Sequence, residues 1–151
     1  MELPGLNLPE FEPSTERIGD TVFIQDIIRK KKLVLTPEEW VRQNILNLFI
    51  RHLEYPSSMI AIEKGLKVNR MTRRSDILVY HGTRPRLLVE CKAPEVRIDE
   101  KAFHQACRYN LTLQVPFLLI SNGIDHWMAR IREGNPPVEF MDHIPHYSEL
   151  K

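Results

Sequence analysis

The run Val115-Pro116-Phe117-Leu118-Leu119-Ile120 has six apolar residues in succession and no polar one. A half-buried strand alternates apolar and polar side chains. A strand that is apolar at every position has both faces covered, as in a sheet with helices on each side. Just upstream, Ala102, Phe103, Ala106, Cys107 and Leu111 recur at helical spacing, with Asp99 as N-cap and Ile98 and Phe103 as a hydrophobic staple. Before that helix, Arg86 to Cys91 reads as a strand that Ala93-Pro94 stops. Strand, helix and strand over 86–120 therefore predict a parallel crossover, which chain chirality makes right-handed. The fold class is α/β with a mixed sheet.

The rest of the chain fits around this unit. Thr36-Pro37-Glu38-Glu39 is a helix start: Thr36 caps, Pro37 takes the first helical position, and Glu39 completes a capping box. Leu35 and Trp40 are spaced as its staple, and Val41, Ile45, Leu48, Phe49 and Leu53 mark an amphipathic helix over 37–53. β-type runs follow at 59–68 and 75–80, and His81-Gly82-Thr83-Arg84-Pro85 turns the chain so that 75–80 and 86–91 form a hairpin. Two further strands, 126–131 and 138–141, are joined through Gly134-Asn135-Pro136-Pro137 and make a small C-terminal β addition. Residues 1–32 read as a Pro-rich extended lead-in packing on a single domain, 33–151; Thr21 to Ile24 is open between a strand and a short amphipathic piece.

At 151 residues the chain is long enough for one core without a metal or disulfide to hold it. No stretch approaches the roughly 18 apolar residues of a membrane span, and residues 1–20 lack the apolar core of a secretory signal. Cys91 and Cys107 are then expected to be reduced, in a cytoplasmic protein. A net charge of +1 excludes a bulk-basic nucleic-acid binder but leaves local patches open.

Three residues stand out by position. Asp76 opens one strand of the hairpin, and Glu90 and Lys92 lie two apart near the end of the other, on one face. Two carboxylates and an ammonium at one sheet end have two readings. A divalent cation can sit between the carboxylates, or Glu90, Lys92 and a nearby Arg can form a cross-strand salt bridge. Hard oxygen ligands suit Mg²⁺ or Mn²⁺. With Lys92 stabilising developing charge, the chemistry would be phosphodiester hydrolysis. Glu39 either closes its capping box or approaches this site, and Glu63 is either a supporting acid or an exposed one. Arg70, Arg73 and Arg74 crowd the approach to Asp76; they are either a phosphate-contacting patch, which positions DNA without reading bases, or a solvated loop. Trp40 and Trp127 read as core, His104 as solvated, and Cys91 as a core residue on the opposite face from Glu90.

Asp76, then Glu90-Cys91-Lys92 on the next strand, resembles the D…E-x-K core of the PD-(D/E)XK nuclease superfamily, with Ser75 where the name has proline. Gln105 and Tyr109 on the following helix resemble the Q-x-x-x-Y motif of its RecB-like branch. Pro37-Glu38-Glu39-Trp40-Val41-Arg42-Gln43, Ile62-Glu63-Lys64-Gly65, Arg74-Ser75-Asp76-Ile77, Val89-Glu90-Cys91-Lys92-Ala93-Pro94 and Ser121-Asn122-Gly123 narrow the likeness. From about residue 33 to 131 the chain resembles the N-terminal nuclease domain of type I restriction enzyme R (HsdR) subunits.

The resemblance implies a restriction-endonuclease-like α-β-β-β-α-β core and Mg²⁺-dependent DNA cleavage. It implies Asp76, Glu90 and the Cys91 backbone carbonyl as metal ligands and Lys92 as the catalytic lysine. Gln105 and Tyr109 would orient that lysine or hold a phosphate. No segment resembles a translocating ATPase, so DNA would be found at low specificity or through a motor or specificity subunit supplied in trans. The alternative is a non-catalytic DNA-binding or protein-interaction module retaining the fold; an RNA substrate is also open.

Overall fold

The structure is a computed structural model that describes residues 3–63, 66–68, 71–73, 76–131 and 138–151; at 63, 66–68, 71–73, 76, 109 and 111–113 it describes the backbone alone. Three short strands come first: β1 (Thr15–Ile18), β2 (Thr21–Gln25) and β3 (Lys32–Val34) form an antiparallel sheet in that order. The lead-in is thus partly pleated, and Thr21 to Ile24 is a strand. Every residue of β1 is exposed, so no apolar alternation marked it in the sequence. Ile24, Leu35 and Trp40 build a small core with this sheet, bringing the staple residues Leu35 and Trp40 together.

Thr36 Oγ1 accepts the Glu39 N–H at 3.0 Å, and with Pro37 in the first turn this starts α1 (Pro37–Asn47), which continues into a π-helical turn over Leu48–His52. Stacking of Phe49 on Tyr55, ring centroids 4.2 Å apart, pins the exit from that turn. The run expected as one strand over 59–68 divides. β4 (Ile60–Glu63) joins the main sheet, while β5 (Leu66–Val68) pairs only with β6 (Met71–Arg73) in a separate hairpin. Lys64 and Gly65, between β4 and β5, lie outside the described residues. Then come β7 (Asp76–His81), β8 (Arg84–Cys91), α2 (Glu100–Leu113), β9 (Phe117–Ser121), β10 (His126–Ile131) and β11 (Val138–Met141). The linker 132–137, with its Gly-Asn-Pro-Pro, lies outside the described residues.

The six-stranded sheet runs β11-β10-β9-β8-β7-β4. β8 and β9 are parallel and the other pairs antiparallel, so the sheet is mixed, as expected. The β7–β8 hairpin turns at Gly82, whose φ of 65° is the left-handed conformation a side chain resists. On one face Ile77, Val79, Leu87, Val89, Cys91, Phe117 and Leu119 pack with Val41, Ile45 and Phe49 of α1 and its π-helical turn. On the other, Leu78, Leu88, Leu118 and Ile120 pack with Phe103, Ala106 and Cys107 of α2. Covering both faces is what makes β9 apolar throughout. Each fully buried Ile or Phe contributes about 1.5–3 kcal/mol. Asp99 caps α2 by accepting the Ala102 N–H at 2.8 Å, and Ile98 and Phe103 share its core. This mixed α/β topology is consistent with a restriction-endonuclease-like core.

Candidate functional site

Strand register brings the singled-out acids together. Asp76 is the backbone partner of Glu90 across β7 and β8, and Glu63 is the partner of Asp76 across β4 and β7. The same row continues through Ile120 on β9 to Trp127 on β10. Three acidic positions therefore occupy successive strands, about 4.7–4.9 Å apart along the row, where like charges directly opposite repel.

Glu90 lies two residues from Leu88, so the pleat puts it on the α2 side of the sheet, while Cys91 is buried against α1. The Glu90 carboxylate is itself buried. Its Oε1 stands 3.1 Å from Nζ of Lys92, a half-exposed side chain. The ladder extends one residue beyond β8: Cys91 pairs with Ser121, and the Lys92 N–H donates to the Ser121 carbonyl at 2.8 Å. Lys92 is thus held to the sheet at its backbone and to Glu90 at its tip.

The other predicted residues divide. Positions 105 and 109 are one helical turn apart on α2 and share a face; Gln105 is exposed, and the Tyr109 side chain lies outside the described residues. His104 is exposed, as expected. Of the arginine patch, Arg73 is described at its backbone in β6, and Arg70 and Arg74 lie outside the described residues. Among the described residues no group of three or more His, Cys, Asp or Glu could hold a metal ion; the side chains of 63 and 76 are not among them. Neither cysteine is in a disulfide, and both are buried.

Glu39 does not close a capping box. The Thr36 N–H donates instead to the Val34 carbonyl at 3.0 Å, and the Glu39 carboxylate turns along its own helix. Arg42 Nη2 donates to Oε1, and Gln43 Nε2 donates to Oε2 at 3.0 Å. Donors three and four residues on reach the carboxylate from the same helix face, and they are buried, so the exchange for a solvated capping contact is favourable. The Arg42 guanidinium, 1 % exposed, also stands 4.0 Å from Asp26. Burial pushes the Asp26 carboxyl up, but the backbone N–H groups of Arg29 and Ile28 and the Arg29 guanidinium outweigh it and hold the pKa below its ordinary value. Sequence reasoning missed this cluster, although the Glu39, Arg42, Gln43 spacing was a visible signal for it. Asn122, 3 % exposed, enters the sequence analysis only within the Ser121-Asn122-Gly123 likeness; its four-residue neighbourhood holds no hint of the carbonyl it meets 26 residues upstream.

Among the described residues no helix is long and apolar enough to cross a membrane. The family model described as Type I restriction enzyme R protein N terminus (HSDR_N) matches residues 37–145 of the chain. No curated protein and no solved structure matches it.

Proposed function

Because the chain belongs to the family of type I restriction enzyme R protein N termini, we propose that it is a metal-dependent nuclease that hydrolyses DNA phosphodiester bonds at the shared end of β7 and β8. The observation that carries this reading is the pairing of Asp76 with Glu90, with the Lys92 ammonium 3.1 Å from Glu90. All three lie inside the matched span. In this reading the α-β-β-β-α-β core is α1, β4, β7, β8, α2 and β9, with the β5–β6 hairpin inserted.

The donor set fits a hard divalent cation. Asp76, Glu90 and the Cys91 carbonyl would hold Mg²⁺ or Mn²⁺, which supplies Lewis acidity toward a phosphoryl oxygen and a more acidic water. Lys92 provides a positive charge where negative charge develops at phosphorus, while its backbone stays fixed to the sheet. Gln105 and Tyr109, whose positions are one turn apart on α2, would orient the lysine or hold a phosphate. Arg70, Arg73 and Arg74 contact the DNA backbone and set its register without reading bases. Glu39 is left out of the ligand set, because Arg42 and Gln43 already hold both its oxygens. The substrate is delivered by a motor or specificity subunit acting in trans.

The test is cleavage of linear, circular and single-stranded DNA with Mg²⁺ or Mn²⁺, beside Lys92→Ala. Loss of cleavage in the variant supports the reading, and equal cleavage by variant and parent makes Lys92 a bystander. Calorimetry of Mn²⁺ against Asp76→Ala and Glu90→Ala should show binding abolished; wild-type affinity in both sinks the metal site. The Glu90–Lys92 contact equally suits a second reading, a non-catalytic DNA-binding or protein-interaction module in which the pair is a structural salt bridge. Absence of both cleavage and Mn²⁺ binding would favour that reading.

A further inference from the structure

The Ser121-Asn122-Gly123 triplet lies beside Lys92, and each of its residues has a separate structural task. The Ser121 carbonyl accepts the Lys92 N–H at 2.8 Å, and its buried hydroxyl accepts the Gly123 N–H at 2.9 Å and meets Nδ1 of His126 at 2.7 Å. Asn122 divides its amide between two loops. Its Oδ1 accepts the N–H groups of Ile124 and Asp125 at 2.9 and 2.7 Å, shaping its own turn, while its Nδ2 donates 2.8 Å to the Val96 carbonyl in the segment linking Lys92 to α2. Gly123 has φ of 87°, and a Cβ there would come 2.7 Å from the Leu6 side chain. The N-terminal segment then closes over the turn: the Asn7 N–H donates to the Gly123 carbonyl at 2.8 Å, and the Asn7 carbonyl lies 2.9 Å from Nε2 of His126.

We infer that Asn122 is a positioning residue for Lys92, fastening the loop that leaves β8 to the turn that leaves β9 so that the lysine backbone cannot shift along the strand. The inference rests on the nuclease reading for its consequence but not for its geometry. A turn needing only its own stability would use the Oδ1 contacts. The Nδ2 bond to Val96 joins a different segment, and buried amides left half-paired are costly. Misplacing a reacting group by about 1 Å can cost on the order of a hundredfold in rate, so a bond this close to Lys92 acts on kcat while the two carboxylate ligands, Asp76 and Glu90, keep their places and only the Cys91 carbonyl shares the displaced peptide.

Asn122→Asp separates the two tasks, because it keeps an oxygen for the Ile124 and Asp125 N–H groups and removes the donor to Val96. The readouts are DNA cleavage with Mn²⁺, Mn²⁺ binding by calorimetry, and amide hydrogen exchange at Lys92 in the metal-free protein. Expected are a kcat roughly 10- to 100-fold lower, KM within about twofold, a loss of Mn²⁺ affinity much smaller than the loss of kcat because Asp76 and Glu90 stay in place, and exchange at Lys92 about tenfold faster as the local opening becomes easier. Should Asn122→Asp fail to fold, His126→Phe loosens the same turn from its other side and is expected to lower kcat, more weakly, with KM held. An unchanged kcat overturns the inference, as does a fall in kcat matched by equal losses in Mn²⁺ affinity and thermal stability. If the wild-type protein neither cleaves DNA nor binds Mn²⁺, the nuclease reading fails; whenever cleavage is absent the exchange measurement alone decides the inference: unaltered protection of the Lys92 amide overturns the positioning role, and its loss sustains it.

Discussion

Two buried glutamates, one on each side of the sheet's helical cover, show how differently a carboxylate can be used. Glu39 on α1 lies among donors: Arg42 and Gln43 reach its two oxygens, and Arg42 leans on toward Asp26, which Arg29 holds in turn. Glu90 on β8 has an acid as its backbone neighbour across the ladder, a second acid one strand beyond, and a half-exposed lysine at its tip. The first arrangement is neutralised by fixed protein groups and organises the junction between the N-terminal sheet and α1. The second gathers acidic positions at a sheet end and leaves its cation partly exposed. Burial alone does not distinguish the two acids; the sign and exposure of their neighbours do.

That contrast can be broken by experiment. The largest stability effect is expected for Arg42→Met, which removes the charged partner of buried Glu39 and the second cation beside Asp26. Urea denaturation should show a loss of about 3–5 kcal/mol, the usual cost of removing one partner from a buried ion pair. A loss below about 1 kcal/mol would erase the distinction between the two acids. Lys92→Ala is expected to behave in the opposite way. Because the lysine is half exposed, stability should change by no more than about 1 kcal/mol, while cleavage falls about 100- to 1,000-fold, as when one charge-stabilising donor is removed.

Asp99→Ala touches neither acid and removes only the α2 cap. It should cost about 1 kcal/mol by thermal or chemical unfolding, giving a scale for what a local contact contributes. The finest discrimination comes from pH. The folded-state pKa of Asp26 lies below its ordinary 3.8, so the ionised carboxyl stabilises the fold above that value, and the contribution is lost as pH falls through the folded value. Asp26→Asn should therefore lose stability less steeply than the parent below about pH 4. Parallel acid limbs for the two proteins would exclude Asp26 as a source of acid sensitivity.

Local signals were legible in the sequence. Thr36 and Pro37 start α1 and Asp99 starts α2 because caps and staples involve residues within one turn. The unbroken apolar run became a strand covered on both faces because nothing short-range competes with that pattern. Failures came where a partner is distant or where two partners compete. Glu39 was offered a capping contact and a helical one, and buried Arg42 and Gln43 won. β1 has no apolar face to advertise it, and its pairing with β2 is visible only once both are placed. The candidate site was named from the sequence as residues, Asp76, Glu90 and Lys92, but its register was not legible there: a shift between Val79 and Tyr80 sets Asp76 opposite Glu90, where the turn alone would set it opposite Val89. The support behind Lys92 was not legible either, because the bonds of Asn122 and Asn7 join segments far apart in the chain.

The clasp of Asn7 on the turn at Gly123 also has a consequence for the order of events during synthesis. Its two halves leave the ribosome more than a hundred residues apart, at about 5–20 residues per second. For roughly 6–25 seconds the beginning of this segment has no docking surface to find. A segment that must wait gains from being unable to settle elsewhere, and Pro4, Pro9 and Pro13, which deny it helix and interior-strand pairing, keep it extended until β9 and β10 arrive. In this view the prolines keep the segment available, and its contacts at the turn beside Lys92 can form only once β9 and β10 have been made.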